Sequence, residues 1–343
     1  MSEKIFFLTT RGLEAVSANE IAALPELKIG HIGYRRITAS CAGSLAALCD
    51  LQTVDDVFLD LDTWPGIGPH RRTLALLRDL SSQLDLRAAA AGCARLRRIP
   101  RAPAFSVTAS FVGKRNYCVG EIKSALSEGI MANHGWRYTD DDGAADLNVR
   151  VFIENNIAFI GLRLCRKPLH ERQYKKAHKP GSLKPPVAAA MLQLVGLAPG
   201  QLLLDPCCGV GTILAEAGKC GAAVCGGDID LSAISAARMN ARAARVDANI
   251  NAWDARALPI PDGSIDRIVS NLPWGRQVVV NSSLAHFYRN VCAEMRRILA
   301  PGGRIALLTN APQLVGFQDL RCDDQIEISL YGQTPTILTF SRR

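Results

Sequence analysis

The sequence predicts an α/β protein whose C-terminal half forms a doubly wound, mostly parallel sheet. Short apolar segments alternate with helical patterns after residue 186, at residues 202–204, 223–227, 250–252, 267–270 and 304–308. The first of these segments leads directly into a turn that contains Gly209 and Gly211. The last two segments, residues 325–331 and 335–341, flank Gly332 and are typical of an antiparallel hairpin. We therefore expect a seven-stranded sheet that ends in a hairpin.

The N-terminal half is predicted to form small α+β domains. A strand over residues 4–10 precedes a helix over 13–24 that ends at Pro25, and a second strand follows over 29–39. A helix over 44–51 and a strand over 54–61 complete a ferredoxin-like pattern. Further elements are expected at residues 74–96 (helix), 105–111 (strand), 120–134 (helix), 146–153 (strand) and 157–164 (strand).

Composition narrows the function classes. The 343 residues are 48% hydrophobic and carry a formal net charge of +8, which favours a polyanionic partner. Eleven cysteines occur without a Cys-x-x-Cys pair, so we expect neither a zinc site nor a disulfide framework. The longest apolar run, residues 187–198, is too short to span a bilayer, and no signal-peptide pattern opens the chain. A cytoplasmic protein that binds no metal and no membrane is expected.

The segment from Arg163 to Lys184 contains eight basic residues and a single acidic residue, Glu171. Prolines deny this stretch a long helix, so residues 167–186 are interpreted as a basic linker. A second basic run surrounds Pro100. Such runs are either solvated faces or phosphate-binding segments, and the second reading is favoured here. The candidates for contact with nucleic acid are Arg97, Arg98, Arg101, Arg172, Tyr174, Lys175, Lys176, Lys179 and Lys184.

Three predicted strands of the C-terminal half end in carboxylates, namely Asp205, Asp228 and Asp254. Gly209 and Gly211 allow close approach of a ligand to the backbone, while Asp228 and Asp254 suit a ribose and an exocyclic adenine amine. Asp205 would repel a diphosphate but would accept a hydrogen bond from a charged amine. This acidic loop therefore favours S-adenosylmethionine over NAD or FAD.

The motif Asn271-Leu272-Pro273-Trp274-Gly275 follows the fourth predicted strand of the sheet. The Asn271 side-chain oxygen and the Leu272 carbonyl can accept the two hydrogens of a nucleobase amine, and Trp274 offers a stacking face. Pro273 stiffens the turn. Methylation of a pyrimidine at C5 would need a cysteine nucleophile, and the sequence has none between Cys225 and Cys292. Amine methylation is therefore favoured.

These motifs resemble known families. Residues 170–343 look like a Rossmann-like class I S-adenosylmethionine-dependent methyltransferase of the amino-methylating type, with Leu272 in place of the usual proline. The N-terminal half resembles the ferredoxin-like and THUMP module of tRNA-modifying enzymes. That likeness is carried by residues 9–14, 105–108 and 121–122. The combination is similar to tRNA guanine-N2 methyltransferases that act on the acceptor stem around position 6.

The resemblance implies a domain order and a set of roles. The domains would be ferredoxin-like (1–65), THUMP (66–166), basic linker (167–186) and methyltransferase (187–343). The cofactor would contact Asp205, Cys207, Gly209, Gly211, Thr212, Asp228, Ile229, Asp254, Ala255 and Asn271. Catalysis would fall to Asn271, Leu272, Pro273 and Trp274, acting on a guanine flipped out of tRNA.

Other readings stay open at this point. Within the same chemistry, the substrate is alternatively 23S rRNA guanine, or adenine N6 or cytosine N4 in DNA. From another class, the protein is alternatively a non-catalytic RNA-binding subunit that keeps the fold, and an NAD-dependent oxidoreductase is the most distant reading. A small activating protein partner is compatible with the sequence.

Overall fold

The computed structural model describes residues 2–274 and 283–342. Gly275, which ends the second motif, lies outside these residues. The described chain divides into two compact units, which are Met1–Leu8 with Glu20–Leu169, and Thr9–Asn19 with His170–Arg343. In the described ranges, no helix is long and apolar enough to cross a bilayer.

Within the described residues, the first unit contains eight strands, three whole helices and the C-terminal end of a fourth helix. In chain order they are β1 (Glu3–Leu8), α1 (Glu14–Ala22), β2 (Leu27–Gly33), β3 (Arg36–Cys41), β4 (Asp56–Pro65), α2 (Thr73–Ser81), α3 (Leu86–Ala94), β5 (Ala104–Phe111), α4 (Val119–His134), β6 (Arg137–Tyr138), β7 (Leu147–Glu154) and β8 (Ile157–Arg163). The strands form one sheet in the order β2-β3-β1-β4-β8-β7-β5-β6. Phe6 and Phe58 stack on one of its faces, with ring centroids 4.9 Å apart.

Local polar groups explain where these elements differ from the expected ones. The strand predicted over 29–39 is the hairpin β2–β3, which turns at Tyr34 and at Arg35 in the left-handed conformation. The helix predicted over 74–96 is divided into α2 and α3. The Asp85 carboxylate accepts a hydrogen bond from the Ala88 N–H and so begins a new helix. Residues 46–50 form a 3₁₀ turn in place of the expected helix.

The expected boundary between residues 65 and 66 does not separate two compact units. Strand β4 lies between β1 and β8 in one continuous sheet, so residues of both expected domains share it. The buried Arg163 side chain also joins them, since it donates to Asp56 at 2.7 Å and to Asp142 at 2.6 Å. Chain composition carries no sign of such a shared sheet, because each half alone has the pattern of a small α+β domain.

The second unit contains the doubly wound sheet. Its elements are α5 (Pro185–Leu194), β9 (Leu202–Asp205), α6 (Thr212–Lys219), β10 (Ala223–Asp228), α7 (Leu231–Ala244), β11 (Ala248–Ala252), β12 (Ile265–Asn271), α8 (Leu284–Ile298), β13 (Leu299–Thr309), β14 (Leu320–Glu327) and β15 (Thr336–Arg342). In the described residues seven strands pair in the order β11-β10-β9-β12-β13-β15-β14. Strand β15 runs antiparallel to β13 and β14, which confirms the predicted sheet with its terminal hairpin.

Helices cover both faces of this sheet because successive strand residues point to opposite sides. Leu203 and Val269 pack in a cluster with residues of α5, α6 and α7. Their neighbours Leu204 and Ile268 pack with residues of α8 on the other face. The chain runs outward from β9 to β11 and then returns to β12 beside β9. Ligands of such sheets bind at this reversal, outside the carboxyl ends of the strands.

The boundary expected at residue 167 also differs from the structure. Residues 170–186 belong to the second unit, in which Tyr174 and Leu183 are buried. Residues 9–19 belong to it as well, since Leu13 and Val16 join the cluster that contains α5. The Arg11 carbonyl accepts a hydrogen bond from the Ser329 N–H at 3.1 Å. The basic stretch is therefore an ordered part of the second unit rather than a linker.

One disulfide corrects the expectation from cysteine spacing. Cys49 and Cys165 are bonded across 116 residues of the first unit. Their distance along the chain hides the pairing, because only the neighbouring positions of β4 and β8 bring the two segments together. A crosslink over so long a loop restricts the unfolded chain strongly.

We expect the double variant Cys49→Ser/Cys165→Ser to unfold about 2–5 kcal/mol more easily than the wild type in non-reducing buffer. Chemical denaturation with and without reductant measures this difference. Reductant should produce the same loss in the wild type and none in the double variant. Cys322→Ser, at an exposed free cysteine, is the matched control. A wild type that is insensitive to reductant would contradict the stabilising role.

Candidate active site

A cavity of about 290 Å³ lies at the carboxyl ends of β9, β10, β11 and β12. It contains the ends of three acidic strands and the Asn271 turn, as the sequence predicts. Three groups of lining residues come from outside these strand ends: residues 179–183, residues 330, 331 and 333, and Phe287 of α8. The reversal of strand order therefore carries a concave site of the second unit, where ligands of such sheets bind.

The glycine turn after β9 opens one wall of the cavity. Gly209 has φ +50°, and a Cβ built on it would meet nothing within 4 Å, so the space beside it is open. Gly211 has φ +76° and does not line the cavity. The absence of a Cβ at Gly211 instead lets Ala237 of α7 pack closely against it. Both glycines are needed for a left-handed backbone, but only the first borders the ligand space.

Asp205 is the buried acid of the site, with 1% of its surface exposed. Its Oδ1 accepts hydrogen bonds from the Ser270 hydroxyl at 2.7 Å and from the Cys207 N–H at 3.2 Å. Burial, with the nearby Asp228 charge adding to it, raises the pKa of the Asp205 carboxyl to about 7 in spite of these donors. A cationic group placed beside it would restore the ionised form.

Asp228 ends β10 and closes the glycine turn. Its carboxylate accepts hydrogen bonds from the Gly209 N–H at 2.9 Å and from the Asp230 N–H at 3.0 Å. Ile229, which follows it, is 71% exposed and lines the cavity. An exposed apolar side chain next to an acid suits a ligand with both a polar sugar and a flat ring.

The other acids of the cavity are already paired with cations. The Arg256 guanidinium binds Asp254 through two nitrogens and holds the pKa of that carboxyl below its usual range. Lys179 donates to Asp230 and likewise lowers the pKa of the Asp230 carboxyl. Ala255 lies beside Asp254 and is buried in the same wall.

This donor set fits S-adenosylmethionine and opposes a diphosphate cofactor. Among the described residues, Lys179 and Arg256 are the basic side chains that line the cavity, and each is neutralised by an aspartate. Asp205 and Asp228 accept hydrogen bonds from neutral groups, so the remaining field is negative. Phosphates would be repelled, whereas the cationic amine of S-adenosylmethionine would be attracted.

The Asn271 turn forms the opposite wall. The Leu272 N–H donates to the Leu308 carbonyl at 3.0 Å, and the Leu272 side chain is buried. Tyr288 of α8 donates its hydroxyl to the Pro273 carbonyl at 3.1 Å and pairs with the Thr309 hydroxyl at 2.6 Å. The turn is thus held from both sides, with its polar atoms in set positions.

Two buried polar atoms of this turn find no hydrogen-bond partner among the described residues. They are Oδ1 of Asn271 and Nε1 of Trp274. A buried acceptor without a partner costs about 1–3 kcal/mol, which a ligand that donates a hydrogen bond to it would recover. Oδ1 of Asn271 is an acceptor that lines the cavity, as amine recognition requires.

The thiols in the glycine turn are poor nucleophiles. Burial, together with the Asp205 and Asp228 charges, raises the pKa of both the Cys207 and the Cys208 thiols well above the usual value. Cys207 lines the cavity in its protonated form, and Thr212 lies next to it at the start of α6. The site therefore offers an amide acceptor rather than a thiolate to an incoming base.

The basic segment contributes less free charge than its composition suggests. Tyr174 and Arg172 turn inward, where the Tyr174 hydroxyl and the Arg172 Nε bind Glu216 of α6 at 2.6 and 3.1 Å. Lys175 donates to the Leu183 carbonyl, and burial lowers its pKa to about 8. These three side chains bind groups of the protein itself in this structure, so they offer less free charge for RNA contact than their composition suggests.

Asn240 of α7 holds the middle of the same segment. Its Oδ1 accepts hydrogen bonds from the Lys176 and Ala177 N–H groups at 2.8 and 2.9 Å. Its Nδ2 donates to the carbonyls of Ala177 and Val210 at 3.1 and 2.9 Å. Since Val210 belongs to the glycine turn, one buried amide sets the segment and the turn together.

The remaining basic candidates are exposed or half-buried. Lys176 is exposed, Lys184 is half-buried, and Lys179 reaches the cavity rim. In the first unit Arg98 and Arg101 are exposed. Arg97 is half-buried, since it donates to the Asp146 carbonyl at 2.5 Å.

Sequence reasoning missed several residues that build the site. Ser270, Tyr288, Thr309, Glu216, Asn240 and the turn at residues 330–333 act through contacts between distant segments. Ser270 gives the one local signal of these contacts, because a polar residue inside an apolar strand needs a hydrogen-bond partner.

The raised pKa of Asp205 predicts a dependence of stability on pH. The folded-state value of about 7 exceeds the reference value of 3.8, so the folded protein binds the extra proton between these values. Raising the pH through this window should therefore remove up to about 1.4 kcal/mol of stability per pH unit. Denaturation of the wild type and of Asp205→Asn from pH 4 to 7 measures the difference. Parallel curves for the two proteins would contradict a raised pKa.

We expect Asn240→Ala to lower the free energy of unfolding by about 2–4 kcal/mol, because buried backbone N–H and carbonyl groups lose their partner. Affinity for S-adenosylmethionine should fall as well, since the segment over residues 179–183 lines the cavity. Denaturation and isothermal titration measure the two effects. Asn249→Ala, at an exposed asparagine, should change neither. An Asn240→Ala protein with unchanged cofactor affinity would argue against coupling of the segment to the site.

Comparison with known proteins agrees with this geometry. Residues 172–319 match the family model described as RMKL-like, methyltransferase domain. A tRNA (guanine(6)-N2)-methyltransferase from Thermus thermophilus is 34% identical over 62% of this chain and 64% of its own. A U6 snRNA (guanine-N(2))-methyltransferase, THUMPD2 of Bos taurus, is 31% identical over 55% of this chain and 36% of its own. The matched segment thus spans less than two thirds of each curated relative.

The fold matches over a longer range. The crystal structure of TrmN from Thermus thermophilus superposes with a TM-score of 0.79 at 26% identity and covers 100% of both chains. The predicted fold class is therefore confirmed, and the match of residues 172–319 to a methyltransferase model agrees with the predicted cofactor, S-adenosylmethionine. Residues 172–319 thus resemble an RMKL-like methyltransferase domain, and the chain as a whole has the fold of the TrmN structure.

Proposed function

We propose that this protein transfers a methyl group from S-adenosylmethionine to the N2 amine of a guanosine in tRNA, in the acceptor stem around position 6. The observation that carries the proposal is the buried Oδ1 of Asn271, a cavity-lining acceptor that finds no partner among the described residues. The name of the Thermus thermophilus relative supports the choice of guanine and of tRNA.

The protein's own residues prepare the amine for reaction. An exocyclic amine is a weak nucleophile because its lone pair is delocalised into the ring. Oδ1 of Asn271 and the Leu272 carbonyl accept its two hydrogens, which favours a pyramidal nitrogen and directs the lone pair toward the cofactor side. Leu272 in place of proline keeps this carbonyl. Tyr288 holds the following Pro273 carbonyl, so the turn does not move when the base enters.

The cofactor side is assigned to the acidic strand ends. Asp205 and the glycine turn that follows it contact the amine of S-adenosylmethionine. Asp228 accepts hydrogen bonds from the ribose hydroxyls. Asp254 and Ala255 border the adenine. When bound, S-adenosylmethionine supplies an electrophilic methyl group on its sulfonium. Cys207, Gly209 and Thr212 form the cavity wall on this side.

RNA binding is assigned to the exposed cations and to the first unit. Residues 66–166 are proposed as a THUMP module preceded by a ferredoxin-like segment, with the exposed Arg98 and Arg101 on phosphates. Lys176 and Lys184 of the second unit serve the same role near the cavity. A guanine paired in a stem must leave the helix before its amine reaches Asn271, so base flipping is part of the proposal. We place this activity in the cytoplasm.

The first experiment measures transfer of labelled methyl from S-adenosylmethionine to unmodified tRNA, rRNA, U6 snRNA and DNA in parallel, with nucleoside analysis of each product. N2-methylguanosine formed in tRNA supports the proposal, and mapping then tests position 6. Label confined to another nucleic acid would keep the chemistry and change the substrate. Cofactor binding without any transfer would favour a binding-only role or a missing partner.

We expect Asn271→Ala to lower kcat for methyl transfer by about 10²-fold or more, since the positioned acceptor of the amine is lost. The dissociation constant for S-adenosylmethionine should stay within about threefold of the wild type. Single-turnover kinetics and isothermal titration give the two values. Asn271→Asp, which keeps an acceptor oxygen, is the comparison variant. Equal loss of binding and transfer in Asn271→Ala would refute the assigned role.

A further inference from the structure

The turn between β14 and β15 places an aromatic side chain at the rim of the catalytic cavity. Leu330, Tyr331 and Gln333 line the same cavity as Asn271 and Trp274. Tyr331 is 57% exposed. Its ring therefore stands at the opening, while Trp274 lies deeper in the wall.

The backbone of this turn is costly for tyrosine. Leu330 and Gln333 exchange two backbone hydrogen bonds of 2.9 and 3.0 Å around Tyr331 and Gly332. Both central residues have positive φ, +52° and +75°, as in a type I′ turn, where asparagine is preferred at the first position. Strained conformations of this kind concentrate at functional sites, where the side chain has a use that the backbone disfavours.

Contacts of the hydroxyl and of the ring hold Tyr331 at the rim. The Tyr331 hydroxyl donates a hydrogen bond to the Ser182 carbonyl at 3.0 Å, which ties the turn to the segment that lines the cavity. The Lys184 Nζ lies 6.0 Å from the ring centroid. An aromatic face beside a lysine is the combination that single-stranded nucleic acid binds, through base stacking and phosphate attraction.

We propose that Tyr331 stacks on the nucleobase next to the target guanosine and holds the RNA strand open at the cavity mouth. This inference rests on the proposed function and adds a specificity-determining residue to it. The target base occupies the deeper wall at Asn271 and Trp274, so the exposed ring meets the neighbouring nucleotide. Lys184 lies beside the ring for the phosphate that joins the two nucleotides.

Two variants separate the ring from the turn. Tyr331→Asn removes the ring but keeps a residue suited to positive φ, and Tyr331→Phe keeps the ring but loses the hydrogen bond to Ser182. We expect Tyr331→Asn to lower both RNA affinity and kcat/KM for the tRNA transcript about tenfold. S-adenosylmethionine affinity should stay within about twofold, and Tyr331→Phe should resemble the wild type.

The location of the stacked base is tested with abasic substrates. Once the methylated guanosine is mapped, the nucleotide on either side is replaced in turn by an abasic one. One of the two substrates should lower wild-type kcat/KM about tenfold and leave Tyr331→Asn nearly unchanged, because the variant has no stacking partner to lose. Equal losses in both proteins with each substrate would overturn the proposal.

The readouts distinguish this inference from the proposed function. A wild type that binds RNA through Tyr331 but transfers no methyl would overturn the function and keep the stacking role. A Tyr331→Asn protein that binds and methylates RNA as the wild type does would overturn the stacking role and keep the function. Loss of S-adenosylmethionine affinity equal to the loss of RNA affinity would assign Tyr331 to the cofactor wall instead.

Discussion

The hydrogen bond between Asp205 and Ser270 is the interaction on which the rest of the site depends. It joins the end of β9 to the end of β12 at 2.7 Å, where the strand order reverses. The glycine turn begins directly after one partner and the Asn271 turn directly after the other. The glycine turn and the Asn271 turn are therefore aligned by one buried polar pair, whose acid has a raised pKa that a nearby cation would lower.

Around this pair, buried side chains of the helices set the segments that cover the cavity. Glu216 of α6 binds Tyr174 and Arg172, while Asn240 of α7 binds the backbone of Lys176 and Ala177. Both helices pack on the sheet that carries the acidic strand ends. The covering segment thus takes its position from the same rigid framework as the residues beneath it, as a precise site requires.

The sequence predicted the acidic strand ends and the Asn271 turn because their positions follow from local pattern. Carboxyl ends of parallel strands share one edge of the sheet, so Asp205, Asp228 and Asp254 had to lie near one another. The basic segment could not be predicted in the same way. Charge composition does not tell which cations fold back onto buried acids, and Glu216 gives no sign in the sequence that it will meet Arg172.

Residues 9–19 pack in the second unit although the chain of the first unit follows them, which affects how the protein folds during synthesis. The Arg11 carbonyl and the Ser329 N–H are bonded, yet more than 300 residues separate them in synthesis. The first unit, which lies between them in the chain, can fold during translation, before the rest of the second unit has been synthesised. In the second unit, in contrast, the apolar N-terminal segment with Leu13 and Val16 stays unpacked until the later strands are synthesised. Protection of that segment during translation is a requirement that this topology imposes on the cell.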